Sequence, residues 1–174
     1  MSAASDLRSV LLPIVRWTAP REPVALTIDS DAIEELKDAQ VVGPVKISGY
    51  ADVGPRETIA HLQVACRTRE ICGRSLDEFE AELDFPFTIL IRRKGSVKEP
   101  EWEDDGEETY QVVVPEDLRE LDITEVLRQA IELERPLSPI KPGVDLPEGV
   151  HPDDVPVEEP IDPRWEALRK LKGQ

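Results

Sequence analysis

From Glu78 to Ile91 the chain alternates between apolar and polar positions. Phe79, Ala81, Leu83, Phe85, Phe87, Ile89 and Ile91 fall on every second position, and Glu78, Glu80, Glu82 and Asp84 fill the places between the first of them. A period of two belongs to a strand with one face buried and one wet. At about 3.3 Å per residue the run would exceed about 40 Å, longer than most strands. A bend near Pro86 is therefore expected, since proline cannot donate to the ladder. Lys46–Val53 also alternates and ends at the turn signal Gly54-Pro55. Residues 58–66 resume the pattern, with Ala60, Leu62, Val64 and Cys66 on one face. Residues 23–28 read as a short strand, residues 7–17 as a strand or extended arm, and Tyr110–Val114 as a last strand.

Two helices interrupt this β territory. Asp31-Ala32-Ile33-Glu34 has capping-box spacing and opens a short helix to about Ala39, with Ile33 and Leu36 inward. Asp122-Ile123-Thr124-Glu125 repeats the spacing before a helix that turns Ile123, Val126, Leu127, Ala130 and Ile131 inward. Pro136 stops it, because the residue before a proline avoids the α region. Lys94–Glu108 is expected to be a loop, as Gly95, Pro100 and Gly106 punctuate it and seven of the ten residues from Glu99 to Glu108 are acidic. Such charge density disfavours packing and predicts a mobile excursion. Arg135–Pro163 holds eight of the sixteen prolines and reads as an extended linker. Asp162-Pro163 then has the residues of a helix start, and Trp165, Leu168 and Leu171 share one side of a short basic helix. A helix this short is marginal alone and needs something to dock on.

Composition narrows the reading. The 174 residues suit one domain with tails. Aromatics make up only 5%, so the core must be mostly Leu, Ile and Val. No run approaches the roughly 18 apolar residues that span a bilayer. Val10–Val15 is broken by Pro13 and closed by Arg16, without the flanks of a signal peptide, so the cytoplasm is the expected location. The net charge of −16 is uneven: −3 over residues 1–44, +1 over 45–98 and −14 over 99–174. A uniformly acidic protein repels nucleic acid, whereas this one can still present a basic face or attract a basic protein.

Candidate chemistry is sparse. Cys66 and Cys72 have five residues between them, and His61 and His151 are isolated, so neither a disulfide scaffold nor a zinc site is expected; the two read as half-buried thiols. Ser75 has no evident base. The acids from Glu101 to Glu108 lack calcium-loop spacing, and no glycine-rich phosphate loop occurs. No cofactor, metal, catalytic group or small-molecule substrate is therefore expected. Arg67, Arg69 and Arg74 bracket the Cys72 turn, and Arg92, Arg93 and Lys94 end the long strand. These six are candidate contacts to RNA phosphate, or else arginines on a solvated sheet paired with glutamates. If the two strands pair, the groups lie at opposite ends and form no single patch. Trp165 pins its helix to the core or docks another protein.

Three segments together resemble the YceD-like family of large-subunit ribosomal RNA accumulation proteins. The first is Cys72-Gly73-Arg74-Ser75-Leu76-Asp77-Glu78-Phe79, whose Cys72, Arg74, Ser75, Leu76 and Phe79 follow the family pattern. The second is the acidic-capped helix from Leu121 to Pro136, and the third is Asp162-Pro163-Arg164-Trp165. Order and spacing agree over roughly residues 7–172. Ser75 stands where many members have a second cysteine, and residues 137–150 lack the later cysteines that often follow. A hydroxyl is a poor replacement for a zinc-bound thiolate, so this chain must do without a metal that other members could use. The resemblance implies a role in accumulation or maturation of large-subunit ribosomal RNA.

The resulting expectation is an α+β fold with a mainly antiparallel sheet that could close toward a barrel, two or three short helices and a Pro-rich C-terminal tail. Residues 1–135 form the domain, with an acidic loop at 95–109; 136–161 are the acidic linker and 162–174 the basic C-terminal helix. Function is expected to be non-enzymatic, on large-subunit ribosomal RNA or a pre-ribosomal particle. An acidic chaperone or adaptor for a small basic ribosomal protein is the alternative, and a ribonuclease the remote one.

Overall fold

The alternating runs pair with one another in the computed structural model, which describes residues 9–103 and 109–144. The elements are β1 (Leu11–Leu12), β2 (Arg21–Asp29), α1 (Glu34–Asp38), β3 (Pro44–Val53), β4 (Glu57–Ile71), β5 (Glu78–Arg93), β6 (Glu101–Glu103), β7 (Thr109–Val114), β8 (Leu121–Asp122) and α2 (Thr124–Glu134). Six strands form one sheet in the order β2-β3-β4-β5-β7-β6, and β1 pairs with β8 beside it. Every neighbouring pair of the six is antiparallel except β5–β7, which is parallel. The α+β, mainly antiparallel expectation holds.

Closure into a barrel does not. β2 and β6 are the two edges of an open sheet. Closing it would require the nine residues of β2 to pair with the three of β6. The parallel β5–β7 pair was also unforeseen. A parallel pair needs a crossover of about a dozen residues or more, and Lys94–Glu108 is long enough to provide it. That segment is not wholly a loop: Glu101–Glu103 pairs with β7, and Trp102 packs on the core from within the acidic run. Residues 104–108 lie outside the described residues.

The long strand runs unbroken over Glu78–Arg93 and pairs with β4 throughout, Pro86 facing Gln63. β7 joins only from Thr88 onward, so Pro86 lies where β4 is the single neighbour. The inward positions carry the core: Ile47 on β3, Leu62 and Val64 on β4, Phe85, Phe87, Ile89 and Ile91 on β5, and Val112 on β7. Leu36 of α1, Leu12 and Ile14 of the N-terminal arm, and Leu127 and Ile131 of α2 cover that face. Burying each such side chain stabilises by about 1.5–3 kcal/mol. The arm shrinks to two strand residues and a 3-10 turn at Ile14–Arg16.

The helix starts differ from the expected capping boxes. Asp29, not Asp31, caps a 3-10 turn at Ser30–Ala32 by accepting from the Asp31 amide at 3.1 Å, and α1 begins only at Glu34. Ahead of α2, Asp122 accepts from the Thr124 amide (2.9 Å) and hydroxyl (2.6 Å), while Glu125 binds Arg128 instead of reaching back. All five predicted inward residues of this helix segment are buried. It ends at Glu134, and Arg135 before Pro136 is extended as required.

β3 pairs with β4 only as far as Ala65, so the β4–β5 hairpin runs past it. The segment at Gln40–Val42 covers that part of β4 through bonds of 2.8 Å from Val42 to Arg67 and from Arg69 to Gln40. Here one inward position holds Glu70, which is 5% exposed. Arg135, at the end of α2, binds it through two nitrogens at 2.7 and 3.1 Å and also reaches the Ala39 carbonyl at 3.5 Å. Burial pushes the Glu70 carboxyl up, but the Arg135 guanidinium outweighs it and holds the group below the ordinary glutamate value. A depressed acid stabilises above its unfolded pKa, and that stability fades as pH falls through the folded one. Glu70→Gln is therefore expected to cost about 3 kcal/mol at neutral pH. In denaturant titrations the gap from the parent should shrink below about pH 4; a gap independent of pH would show that the charge is not what holds the helix end.

Candidate functional site

The β4–β5 connection is a tight knuckle. The Cys72 amide donates to Asp77 O (2.8 Å) and the Leu76 amide to Cys72 O (3.0 Å). Leu76 closes the reversal with φ +60°. The chain beyond α2 returns to lie against this turn. Gly73 donates to Pro139 O at 2.9 Å, and Lys141 Nζ lies 3.5 Å from Asp77 Oδ2. Pro136 stops the helix, and the Glu70–Arg135 pair fixes where the chain leaves it.

The sulfur of Cys72 sits at the centre. The Lys141 amide donates to Sγ at 3.4 Å and the Ser75 amide at 3.5 Å. The Lys141 amide, with the Ser75 hydroxyl and amide and the Arg74 amide, pulls the thiol down to about 6. Cys72 exposes no surface, and the returning chain meets it through the Lys141 amide. Cys66 is its opposite: burial among apolar residues pushes that thiol up to about 11. Both are free and buried, not half-buried as expected. Cys72 and the Ser75 hydroxyl offer one strong and one weak ligand, which does not suit zinc. Among the described residues no group of three His, Cys, Asp or Glu side chains converges to hold a metal.

The predicted contact residues divide into two groups. Arg67, Arg69 and Arg74 lie at the Cys72 end, and Arg92, Arg93 and Lys94 at the other end of the hairpin. The pairs Ile71–Glu78 and Glu57–Arg92 close the two ends of the ladder, roughly 45 Å apart at about 3.3 Å per residue. Arg67 binds Glu80 at 2.5 Å, whereas the exposed Arg69 guanidinium makes no ion pair among the described residues. Arg74 is exposed and has interactions of its own. At the far end Arg92 is shared between Glu57 (3.0 Å) and Glu103 (3.4 Å), and Arg93 donates to the Glu116 carbonyl at 3.0 Å. A recess of about 420 Å³ there is lined by Ile14, Trp17, Val53, Thr58, Arg93 and Leu118. Of the motif residues, Leu76 is 77% exposed and Phe79 half-buried. Asp162, Pro163, Arg164 and Trp165 lie outside the described residues, as does most of the expected linker.

Reading the sequence missed three features of this end. One is the Glu70–Arg135 clamp; a glutamate at an inward position of a strand was its only signal. Another is the return of residues 139–141 onto Cys72. The third is an apolar cluster in sequence around the junction, where Ile71, Leu76, Leu133, Leu137 and Ile140 are all exposed.

A family model described as Large ribosomal RNA subunit accumulation protein YceD matches residues 60–172, more than half of the chain. The match starts on β4 and takes in the hairpin, the Cys72 turn and α2. No curated protein and no solved structure matches the chain.

The two cysteines should separate by titration. In Cys66→Ala, ultraviolet thiolate absorbance should rise near pH 6, and in Cys72→Ala only in strongly alkaline solution, near 11. The Cys72 thiolate stabilises the fold above its unfolded pKa of about 8.5, and that contribution fades as pH falls through the folded value. Cys72→Ala should therefore be more costly in mildly alkaline than in mildly acidic solution, as read by thermal melts.

Proposed function

The chain belongs to the YceD family of large ribosomal RNA subunit accumulation proteins, and on that basis we propose that it is a non-enzymatic cytoplasmic factor acting on large-subunit ribosomal RNA or its precursor particle. The observation that carries the proposal is the family match across the hairpin that ends in the Cys72 turn. We assign the contact to that end. Arg69 is exposed there and makes no ion pair among the described residues, and Arg67 and Arg74 flank it, while the guanidinium of Arg92 at the other end is held by two glutamates. An exposed arginine is free to neutralise phosphate and release counterions. No helix among the described residues is long and apolar enough to cross a membrane.

Leu76 also supports this assignment. A large apolar side chain that is 77% exposed in the left-handed region is unfavourable for the free protein. Such strain is often retained where a site needs it. A second reading rests on Glu101 and Glu103, exposed on the edge strand β6 at the start of the acidic run. These acids suit a small basic ribosomal protein, for which the chain would act as chaperone or adaptor.

A pull-down from lysate with and without nuclease, at two salt concentrations, separates the readings. The RNA reading predicts large-subunit precursor RNA in the recovered material and loss of ribosomal proteins after nuclease. With purified RNA, Arg69→Ala and Arg74→Ala should each weaken binding and lower the salt slope by about one. A small basic ribosomal protein that survives nuclease, and is lost when Glu101 and Glu103 become Gln, would favour the adaptor. Leu76→Gly should leave stability unchanged or raise it by up to about 1 kcal/mol, since the backbone conformation suits glycine, while RNA recovery falls. Loss of stability together with binding would remove Leu76 from the contact.

A further inference from the structure

β2 is an open edge, and its hydrogen-bonding direction can be read from the bonds at its two ends. Val53 donates to Pro20 O at 2.8 Å and Ser30 to Gly43 O at 3.4 Å. Both continue the β2–β3 register, in which Arg21 faces Asp52 and Asp29 faces Pro44. Backbone groups alternate in direction along an antiparallel strand. The even-numbered residues of β2 therefore bond to β3, and Arg21, Pro23, Ala25, Thr27 and Asp29 point their backbone groups outward. All five are exposed, and among the described residues no strand pairs with this side. Nine residues of open edge is a template for another strand, and natural sheets usually blunt such edges.

The sequence of the strand is complementary to itself. Placed antiparallel about Ala25, Arg21 faces Asp29 of the second copy, Pro23 faces Thr27, and Ala25 faces Ala25. Opposite charges meet at both ends of the pairing, and small side chains lie at its centre. The same register sets Val24, Leu26 and Ile28 of each copy on a common core side, where Leu26 and Ile28 are only half-buried in the single chain. Each Arg21–Asp29 pair, and the central Ala25 pair, exchanges two backbone bonds; Thr27 donates to the Pro23 carbonyl. Pro23 forfeits only its own donor. Arg21 already binds Asp52 through Nε at 2.7 Å and lies 4.3 Å from the centre of the Tyr50 ring, which holds it near the strand. Cross-strand opposite charges and small central residues favour this register over neighbours shifted by two.

We propose that β2 is a self-association edge, pairing antiparallel with β2 of a second copy about a two-fold axis at Ala25 to make one continuous sheet. The pairing is isologous and closes at two copies. It is independent of the RNA assignment, because the Cys72 turn is on the β4–β5 hairpin and not on this edge.

Sedimentation of the full chain over a range of concentrations should show a species of about twice the monomer mass. Ala25→Pro should abolish it while leaving the thermal melt close to that of the parent, since the amide removed points away from β3. A residue on the two-fold axis faces its own copy at about 5.5 Å between Cα atoms, within reach of a disulfide. Ala25→Cys should therefore cross-link to a dimer on mild oxidation, and Lys46→Cys, on the neighbouring strand, should not. The native cysteines are buried and give little background. A chain that stays monomeric at every concentration, with Ala25→Cys failing to cross-link, overturns the proposal. So does a monomer that loses a different bound protein on Ala25→Pro, which would assign the edge to that protein.

Discussion

A carboxylate at an inward position of β4 constrains the whole Cys72 end of this molecule. Glu70 is almost fully buried, and an unpaired charge there would cost several kcal/mol. Arg135 meets it with two bonds and so anchors the end of α2. Pro136 prevents the helix from continuing, and the chain beyond it returns over the hairpin turn. That return brings the Lys141 amide to the Cys72 sulfur. Pro136 ends the helix, and the ion pair anchors that end beside the turn, from where the returning chain reaches Cys72. The pair is an expensive way to stabilise a fold, since apolar residues of similar volume often do as well. Its use here is positional.

The charges are laid out along the same axis. The long β4–β5 hairpin separates two arginine groups, and the acidic β6 lies beside the far one. Glu57 and Glu103 neutralise Arg92 at that end, while Arg69 at the Cys72 end keeps an exposed charge. The Cys72 end is not positive as a whole, since Asp77, Glu78, Glu80 and Glu82 are exposed beside Arg67, Arg69 and Arg74. A chain of net charge −16 would therefore meet RNA there through individual arginines and not through a basic face. Leu76 stands at that end in a backbone conformation that costs the free protein energy.

Much of this was legible in the sequence. The alternation from Phe79 to Ile91 is a strand because both its faces are chemically unambiguous. The inward set of α2 was equally clear, since Val126, Leu127, Ala130 and Ile131 follow a 3.6-residue period and Pro136 marks the end. The acidic density around Trp102 hid a strand, because local charge says loop while one aromatic packing on the core decides otherwise. The parallel β7 depends on where the crossover leads, which no local pattern encodes. Asp31 and Asp122 both have capping-box spacing, yet the caps formed differently, because aspartate can serve a neighbouring turn equally well. Cys66 and Cys72 looked alike in sequence. The turn residues Arg74 and Ser75 supply part of the difference, but the largest contribution comes from the Lys141 amide, distant in the chain, and so the chemistry of Cys72 could not be read from its neighbours alone.

Site-specific photo-cross-linking in cells most directly tests the claim that the Cys72 end meets large-subunit ribosomal RNA. A photoreactive residue would replace the exposed Leu76 in one variant and Arg92 in another. Adducts to large-subunit ribosomal RNA from position 76, with few from position 92, are the predicted result. Equal yields from both positions, or adducts from position 92 alone, would contradict the account and move the contact to the other end of the hairpin.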